Sequence, residues 1–220
     1  MTTTDCIEII ASADSGGLFT DEMRADPNFL IGVLNAGRGI VLRERYSKSQ
    51  DIHPNFKQLV YPKYDPAIQE LDCYTVFKLE RAVDVNDIMD GYLSCSPIVE
   101  GKENFKRIKS RGDHSNMLRH RVSRALLRTS TYWFPDPSSG LLFIWHKPQS
   151  KVKKIKYEIV AEEPTEVEGF SIEKDDYPIT MDALKRVEEM VRQGTIYGYL
   201  KVRANKVSNS QDDSQLQAEQ

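Results

Sequence analysis

The chain has 220 residues, of which 40% are hydrophobic and 29% charged, a balance typical of a soluble globular protein. Its longest unbroken apolar run, from Leu141 to Trp145, is far shorter than the roughly 18 residues that a membrane-spanning helix needs. Residues 1–12 lack the basic start and the apolar stretch of a secretory signal, so we expect synthesis and use in a cytosol. Cys6, Cys73 and Cys95 fit neither a disulfide framework nor a CxxC metal site, and we expect them to be buried thiols.

Charge is distributed unevenly along the chain. Residues 102–128 contain nine basic and two acidic side chains, a net charge of +7, which leaves −10 for the remainder of a chain whose total is −3. The molecule as a whole therefore has no long-range attraction for DNA or for an anionic membrane. Locally, however, it is electrically two-sided.

The N-terminal region is predicted to be helical. Thr4 or Asp5 can cap a short helix that ends before Gly16 and Gly17. A longer helix is predicted from Pro27 to about Ser47, because Asp26-Pro27 is a helix start and apolar residues then recur every three to four positions. Three glycines lie inside this helix: Gly32, Gly37 and Gly39. Each costs roughly 1 kcal/mol of helix stability relative to alanine. Their presence indicates that another backbone packs close to them.

The middle of the chain mixes extended and basic segments. Prolines make residues 53–66 an extended connector, with aromatic anchors expected at Phe56, Tyr61 and Tyr64. A strand is predicted at Tyr74–Leu79 and an acidic turn at Asp84–Asp90. Residues 100–116 have too few apolar side chains for a core element and predict a basic loop or projecting hairpin, and residues 118–128 predict a short basic amphipathic helix.

The C-terminal half predicts a sheet followed by a helix. Residues 131–134 and 141–146 flank a proline- and glycine-rich turn, which favours a hairpin, and the alternation in 153–160 predicts a third strand of the same antiparallel sheet. A last helix is predicted from Tyr177-Pro-Ile-Thr180 to about residue 200. Its inward side chains are expected to be Met181, Leu184, Val187, Met190 and Val191.

These elements predict an α+β fold, a helical domain with a small antiparallel β-sheet inserted into it. Residues 1–204 are expected to form this single domain, with long helices at about 27–47 and 180–200 and the β insertion at about 71–161. Residues 205–220 are too polar to bury and are expected to be a disordered tail or one that a partner orders.

No arrangement of residues in the sequence favours catalysis, a metal or another cofactor. The four histidines, His53, His114, His120 and His146, lie in different elements without ligand spacing, and His114 beside Asp113 is in a polar loop that would position a base poorly. Gly37-Arg-Gly39 lies inside a helix and is not a phosphate-binding loop. We therefore expect no enzyme. The aromatic residues of the hairpin are expected to be core residues: Trp133, Phe134, Phe143 and Trp145.

The basic segment, residues 102–128, has three interpretations: a solvated face, a surface for an acidic neighbouring subunit, or a contact with nucleic-acid backbone. Only Phe105 is interleaved with the charges of its loop, so an aromatic platform for single strands is missing. The candidate residues for contact with a partner or with DNA backbone are Lys106, Arg107, Lys109, Arg111, Arg119, Arg121, Arg124 and Arg128.

The order of these motifs resembles a family of virion proteins. A capped helix ends in RGIVLRERYSKSQDIHPNF, and it is followed by the strand DCYTVFKL, the hairpin TYWFPDPSSGLLFIWHK, the strand KIKYEIVAEEP and the helix DYPITMDALKRVEEMVRQG. This order is similar to that of the connector-adaptor or tail-ring proteins of short-tailed bacteriophages, particularly crAss-like phages, over about residues 27–200. The family's acidic-proline corner corresponds here to Glu162-Glu163-Pro164, and Pro178 opens the last helix. The basic loop 100–116 and the glycines at 194 and 198 depart from the family pattern.

The resemblance implies a non-enzymatic adaptor in the virion, assembled in the cytoplasm of the bacterial host. Its partners would be a homo-oligomeric ring, commonly a dodecamer, the phage portal protein, adjacent tail-ring or tail-tube proteins, and genomic DNA passing through the channel without sequence specificity. The alternative from a different class is a small nucleic-acid-binding accessory protein that uses residues 102–128. A hydrolase with scattered acidic residues is a third possibility, and it requires carboxylates that converge in a pocket.

Overall fold

The computed structural model describes residues 1–14, 17, 19–46, 51–63, 74–83, 91–98, 105–108, 131–145, 152 and 154–198. The chain forms two compact units. The helical unit comprises Met1–Asp51 and Ser171–Gln220, and the β unit comprises Ile52–Phe170. Helices and two small sheets are both present, which confirms a mixed fold of α and β elements.

The helical unit is built from both ends of the chain. Its helices are α1 (Thr3–Ala13), α2 (Asp21–Ala25), α3 (Pro27–Tyr46) and α4 (Met181–Arg192), and residues 195–198 are helical again. Helices α1, α3 and α4 pack against one another, and α2 packs against α3. The prediction of a helix from Pro27 to about Ser47 is confirmed. The apolar stripe of α3 that enters the core is Leu30, Val33, Leu34, Val41 and Leu42.

Side-chain caps define where these helices begin. The cap of α1 is Thr2, two residues before the first predicted position: Thr2 Oγ1 accepts from the Asp5 amide at 3.2 Å, and the Asp5 carboxylate accepts from the Thr2 amide at 2.8 Å. This reciprocal pair satisfies two amides that the helix itself leaves free. The predicted start of α3 is confirmed, because Asp26 Oδ1 accepts from the Asn28 amide at 2.9 Å. Thr180 caps α4 through the amide of Ala183.

The end of the last helix differs from its prediction. Helix α4 ends at Arg192, because Gly194 takes a φ of 72°, and the helix does not run unbroken to about residue 200. Met181, predicted to face inward, is 56% exposed in the first turn. Leu184, Val187 and Val191 are buried as predicted.

Among the glycines of α3, Gly37 is the one that lies against α4. A Cβ atom there would lie 2.6 Å from Cγ1 of Val187 and 3.0 Å from Cδ1 of Ile196. Gly32 and Gly39 face open space, so the prediction of close packing is wrong for these two residues. The neighbour at Gly37 is a side chain, whereas the sequence indicated a second backbone.

A polar group lies inside the helical unit. Arg38 is fully buried, and its Nε donates to the carbonyl oxygen of Pro178 at 2.7 Å. The phenol of Tyr177 donates to Oδ1 of Asn35 at 2.7 Å. Burial lowers the pKa of the Arg38 guanidinium to about 10, and burial raises the pKa of the Tyr177 phenol. These bonds attach the segment before α4 to the middle of α3.

The β unit contains two sheets. Its strands are β1 (Gln58–Val60), β2 (Tyr74–Lys78), β3 (Tyr92–Pro97), β4 (Lys106–Arg107), β5 (Tyr132–Asp136), β6 (Leu141–Trp145) and β7 (Ile155–Ile159). The first sheet has the order β1-β7-β3, and the second has the order β2-β6-β5-β4. All pairs are antiparallel except β4 with β5. One apolar core joins the sheets, because Tyr157 and Cys95 of the first pack with Trp133, Phe77 and Ile144 of the second.

The predicted hairpin is confirmed, but its third strand is not where we expected it. Strands β5 and β6 pair across the turn, with the rings of Phe134 and Phe143 stacked at 4.9 Å. All four hairpin aromatics are buried, as predicted. The strand β7 lies in the other sheet, between β1 and β3. Its alternation correctly predicts one buried face, but side-chain period does not specify which strand supplies the hydrogen bonds.

Several short segments join the sheets although the sequence predicted loops. Residues 58–60, read as part of a connector, form β1, and Tyr61 beside it is 54% exposed, so only Phe56 is confirmed as an anchor. Strand β3 was not predicted. Within the predicted basic loop, β4 pairs with β5 and Ile108 is buried, so this part does not project.

Other predictions lie outside the described residues. They are the acidic turn 84–90, the basic helix 118–128, the anchor Tyr64 and the tail 205–220. In the described part of the chain, no helix combines the length and the apolar character needed to cross a bilayer.

The contact at Gly37 predicts opposite effects for substitutions at the three glycines of α3. Gly37→Ala should lower the free energy of unfolding, because overpacking costs about 1–3 kcal/mol and exceeds the roughly 1 kcal/mol gain in helix propensity. Gly32→Ala and Gly39→Ala are matched controls that should raise it by about 0.5–1 kcal/mol. Urea unfolding measures all three. A stabilised Gly37→Ala protein would contradict the close packing of α3 on α4.

Substitution of Arg38 should separate the effects of volume and charge. We expect Arg38→Ala to lower the free energy of unfolding by about 3–5 kcal/mol, because it leaves a cavity and removes a donor from the Pro178 carbonyl. Arg38→Met keeps most of the volume and removes the cost of burying a charge, so it should recover more than half of that loss. Equal losses for both variants in urea unfolding would show that the hydrogen bond, and not packing, dominates.

Candidate functional site

The described part of the β unit contains a groove of about 610 Å³. We call it the acidic groove, because four glutamates line it against two cations: Glu80, Glu162, Glu163 and Glu166, with Lys78 and Arg81. Its floor includes the buried side chains of Leu79, Tyr92 and Val167. The turn between β5 and β6, residues 137–140, forms one rim.

Two phenols fix the wall that carries Glu80. Tyr157 Oη accepts from the Glu80 amide at 3.1 Å, and Tyr92 Oη donates to the Glu80 carbonyl at 3.0 Å. Both rings belong to the core shared by the two sheets. Burial raises the pKa of the Tyr157 phenol, so this group remains a neutral hydrogen-bonding partner at ordinary pH. The backbone of Glu80 is therefore held at both its N–H group and its C=O group.

Backbone hydrogen bonds hold the lining segment that follows β7 beside the segment that follows β2. The Glu162 amide donates to the Arg81 carbonyl at 2.9 Å, and the Val83 amide donates to the Val160 carbonyl at 2.8 Å. Pro164 then opens a short 3-10 turn over Pro164–Glu166, and Gln58 Nε2 donates to its carbonyl at 3.1 Å. The backbone that carries these glutamates is therefore held in place by hydrogen bonds within the β unit.

The lining of the acidic groove carries more carboxylates than cations. Its described lining residues include neither histidine nor cysteine. Ser139 Oγ donates to Asp136 Oδ2 at 2.8 Å, and hydrogen bonds from Ser138 and Ser139 hold the pKa of Asp136 below its ordinary value. Carboxylates beside buried apolar side chains can bind a basic side chain together with its aliphatic stem.

Of the predicted contact residues, the structure describes Lys106 and Arg107. Lys106 is exposed on β4. Arg107 Nη1 donates to the Tyr92 carbonyl at 2.6 Å, and its guanidinium lies 5.1 Å from the ring centroid of Trp133. Arg107 therefore has a role within the β unit itself. The others lie outside the described residues: Lys109, Arg111, Arg119, Arg121, Arg124 and Arg128.

The histidine and cysteine residues that the structure describes have structural positions. His53 Nδ1 accepts from the Asn55 amide at 3.2 Å and caps the 3-10 turn at Pro54–Phe56. Burial raises the pKa of the Cys6 thiol to about 11 and also raises that of Cys95, which makes both poor nucleophiles. Their predicted burial is confirmed. The described residues contain no group of three or more side chains suited to a metal ion.

Two features were missed in the sequence. Arg38 lies four residues after Leu34 and four before Leu42, so the period of α3 could have identified it as a buried cation. The acidic groove is harder to predict from the sequence than the burial of Arg38. Glu162-Glu163-Pro164 was identified as a corner, but only the pairing of residues 80–83 with 160–162 brings Glu80 to the same surface.

Comparison with known proteins assigns no family to this chain. No protein-family model matches the sequence, and no curated protein matches it significantly.

Proposed function

We propose that this chain is a non-enzymatic structural protein of a tailed bacteriophage, a ring-forming adaptor in the portal-proximal connector. The proposal starts from the resemblance in the order of sequence motifs, which implies a helical adaptor carrying a β insertion. In the virion its neighbours would be further copies of the same chain, the portal protein and adjacent tail proteins. DNA would pass through the channel that they form.

The observation that carries the proposal is the interrupted helical unit. Helices α1 and α3 come from the N-terminal side of the β unit and α4 from its C-terminal side, yet the three pack together. Residues 52–170 thus form a separate compact unit inserted between α3 and α4. This arrangement agrees with the adaptor-like organisation that the resemblance implies, with the insertion extending over a longer range than 71–161.

Charge distribution gives independent support. Residues 102–128 carry +7 and the remainder of the chain −10, and part of that negative charge lines the acidic groove. Head-to-tail contacts in a ring join two different surfaces of the same protein, which can therefore have opposite charge.

The alternative, a nucleic-acid-binding accessory protein, would use the same basic segment. The described part of that segment offers limited support, because Arg107 is engaged with Tyr92 and Trp133, and Trp133 is only 1% exposed. A base could not stack on a ring that is buried in this way. Contact with DNA would then be through phosphates and would weaken steeply with added salt.

The mass of the assembled full-length chain tests the proposal. We expect a ring or other large oligomer at low salt, alone or with the portal protein. Reversing Arg119, Arg121, Arg124 and Arg128 together to glutamate should reduce assembly, although each exposed pair contributes only about 0–1 kcal/mol. Light scattering gives the mass, and circular dichroism verifies that the protomer stays folded. A monomer that binds DNA and does not assemble with portal would support the alternative instead.

A further inference from the structure

We infer that the acidic groove is the docking site for residues 109–128, the part of the basic segment that follows β4, of a second copy of this chain. The inference rests on the proposed function and names the contact by which neighbouring subunits would recognise each other. It is argued from the charge of the two surfaces, the construction of the groove, and the strand order of the β unit.

Charge and shape identify the class of occupant. The groove has four carboxylates and two cations around a floor that includes Leu79, Tyr92 and Val167. Lysine and arginine side chains have apolar stems and cationic ends, so they fit a surface of this composition. The basic segment is the most cationic stretch of the sequence, with nine basic and two acidic residues. A strand of DNA, by contrast, would be repelled by the same carboxylates.

The backbone of the groove is ordered before any partner arrives. The Glu80 peptide is held by Tyr92 and Tyr157, and the Glu162 amide is paired with the Arg81 carbonyl. Backbone that is already fixed loses no further conformational entropy on docking, so the groove's share of the entropic cost comes from its side chains.

Strand order is compatible with a contact between copies. The sheet order β2-β6-β5-β4 puts β2, which leads directly into the groove wall at Glu80, at one edge. Strand β4, Lys106–Arg107, lies at the other edge and belongs to the basic segment. Three strand intervals separate these edges, about 14 Å at the usual spacing. Complementary features at opposite edges allow each copy to donate to one neighbour and accept from another, which is a heterologous contact.

Peptide binding tests the contact without requiring a ring. The probe is a labelled peptide of residues 109–128, and the receptor is the full chain with its own four arginines at 119, 121, 124 and 128 reversed to glutamate, so that it cannot compete. We expect binding that weakens with salt and is reduced tenfold or more by Glu162→Lys with Glu166→Lys. The matched control, Glu8→Lys with Glu173→Lys, changes the same charge at exposed sites of the helical unit and should leave binding unchanged.

Mixing two variants then tests the direction of the contact. The groove variant, Glu162→Lys with Glu166→Lys, keeps its basic segment, and the arginine variant keeps its groove. Each alone should assemble poorly. Together they have one native interface and one in which both charges are reversed, so mixing should restore an assembly that neither variant forms alone, at least a pair of about 50 kDa, twice the 25.2 kDa chain. Circular dichroism verifies that both variants are folded.

The outcomes separate this inference from the proposed function. One outcome is that the wild-type chain binds the peptide in its groove and yet never assembles, alone or with portal. That result would contradict the proposed ring and support the contact. A wild-type ring whose groove variant assembles normally, or whose groove fails to bind the peptide, would keep the ring and overturn the inference. If the mixed variants remain monomers, the contact closes within one chain or has another basic partner, and the inference is equally wrong.

Discussion

The helical unit depends on the contacts that α3 makes with α4 and with the segment preceding it, because the β unit separates these parts of the sequence. Arg38 and Pro178 are 140 residues apart, yet a buried hydrogen bond joins them. Gly37 lets Val187 approach the backbone of α3 closely. The entropic cost of closing a loop grows only slowly with its length, by about 0.6 kcal/mol for each doubling. A long insertion is therefore compatible with such contacts, and an insertion with its own core adds little further cost.

The β unit has a different organisation, in which the core determines what the surface displays. Tyr157 and Tyr92 pack between the sheets, and their hydroxyl groups reach the backbone of Glu80 at the edge of the groove. Arg107 is held in a similar way by the Tyr92 carbonyl and the face of Trp133. Residues of this core thus order both a cationic and an anionic part of the surface. Substitutions in this core can alter recognition without touching a charged side chain.

The acidic groove brings together residues that are far apart in the chain. Glu80 follows β2, whereas Glu162, Glu163 and Glu166 follow β7. The four carboxylates outnumber the two cations of the lining, Lys78 and Arg81, and Lys78 Nζ lies 4.0 Å from Glu80 Oε1. On the rim, Ser138 and Ser139 donate hydrogen bonds to Asp136 and hold the pKa of that carboxylate below its ordinary value. A surface with an excess of one charge is suited to an oppositely charged protein segment.

The sequence by itself determined where the strongly patterned elements lie. Helix α3, the hairpin of β5 and β6, and the inward stripe of Leu184, Val187 and Val191 follow from local periodicity and turn chemistry, which neighbouring residues encode. Only the tertiary structure decided which strands pair and which polar residues meet. The strand β7 pairs with β1 and β3 because of core packing between sheets, and Glu80 joins Glu162 because residues 80–83 run beside 160–162. Such contacts join residues far apart in the chain, and periodicity carries no information about their partners.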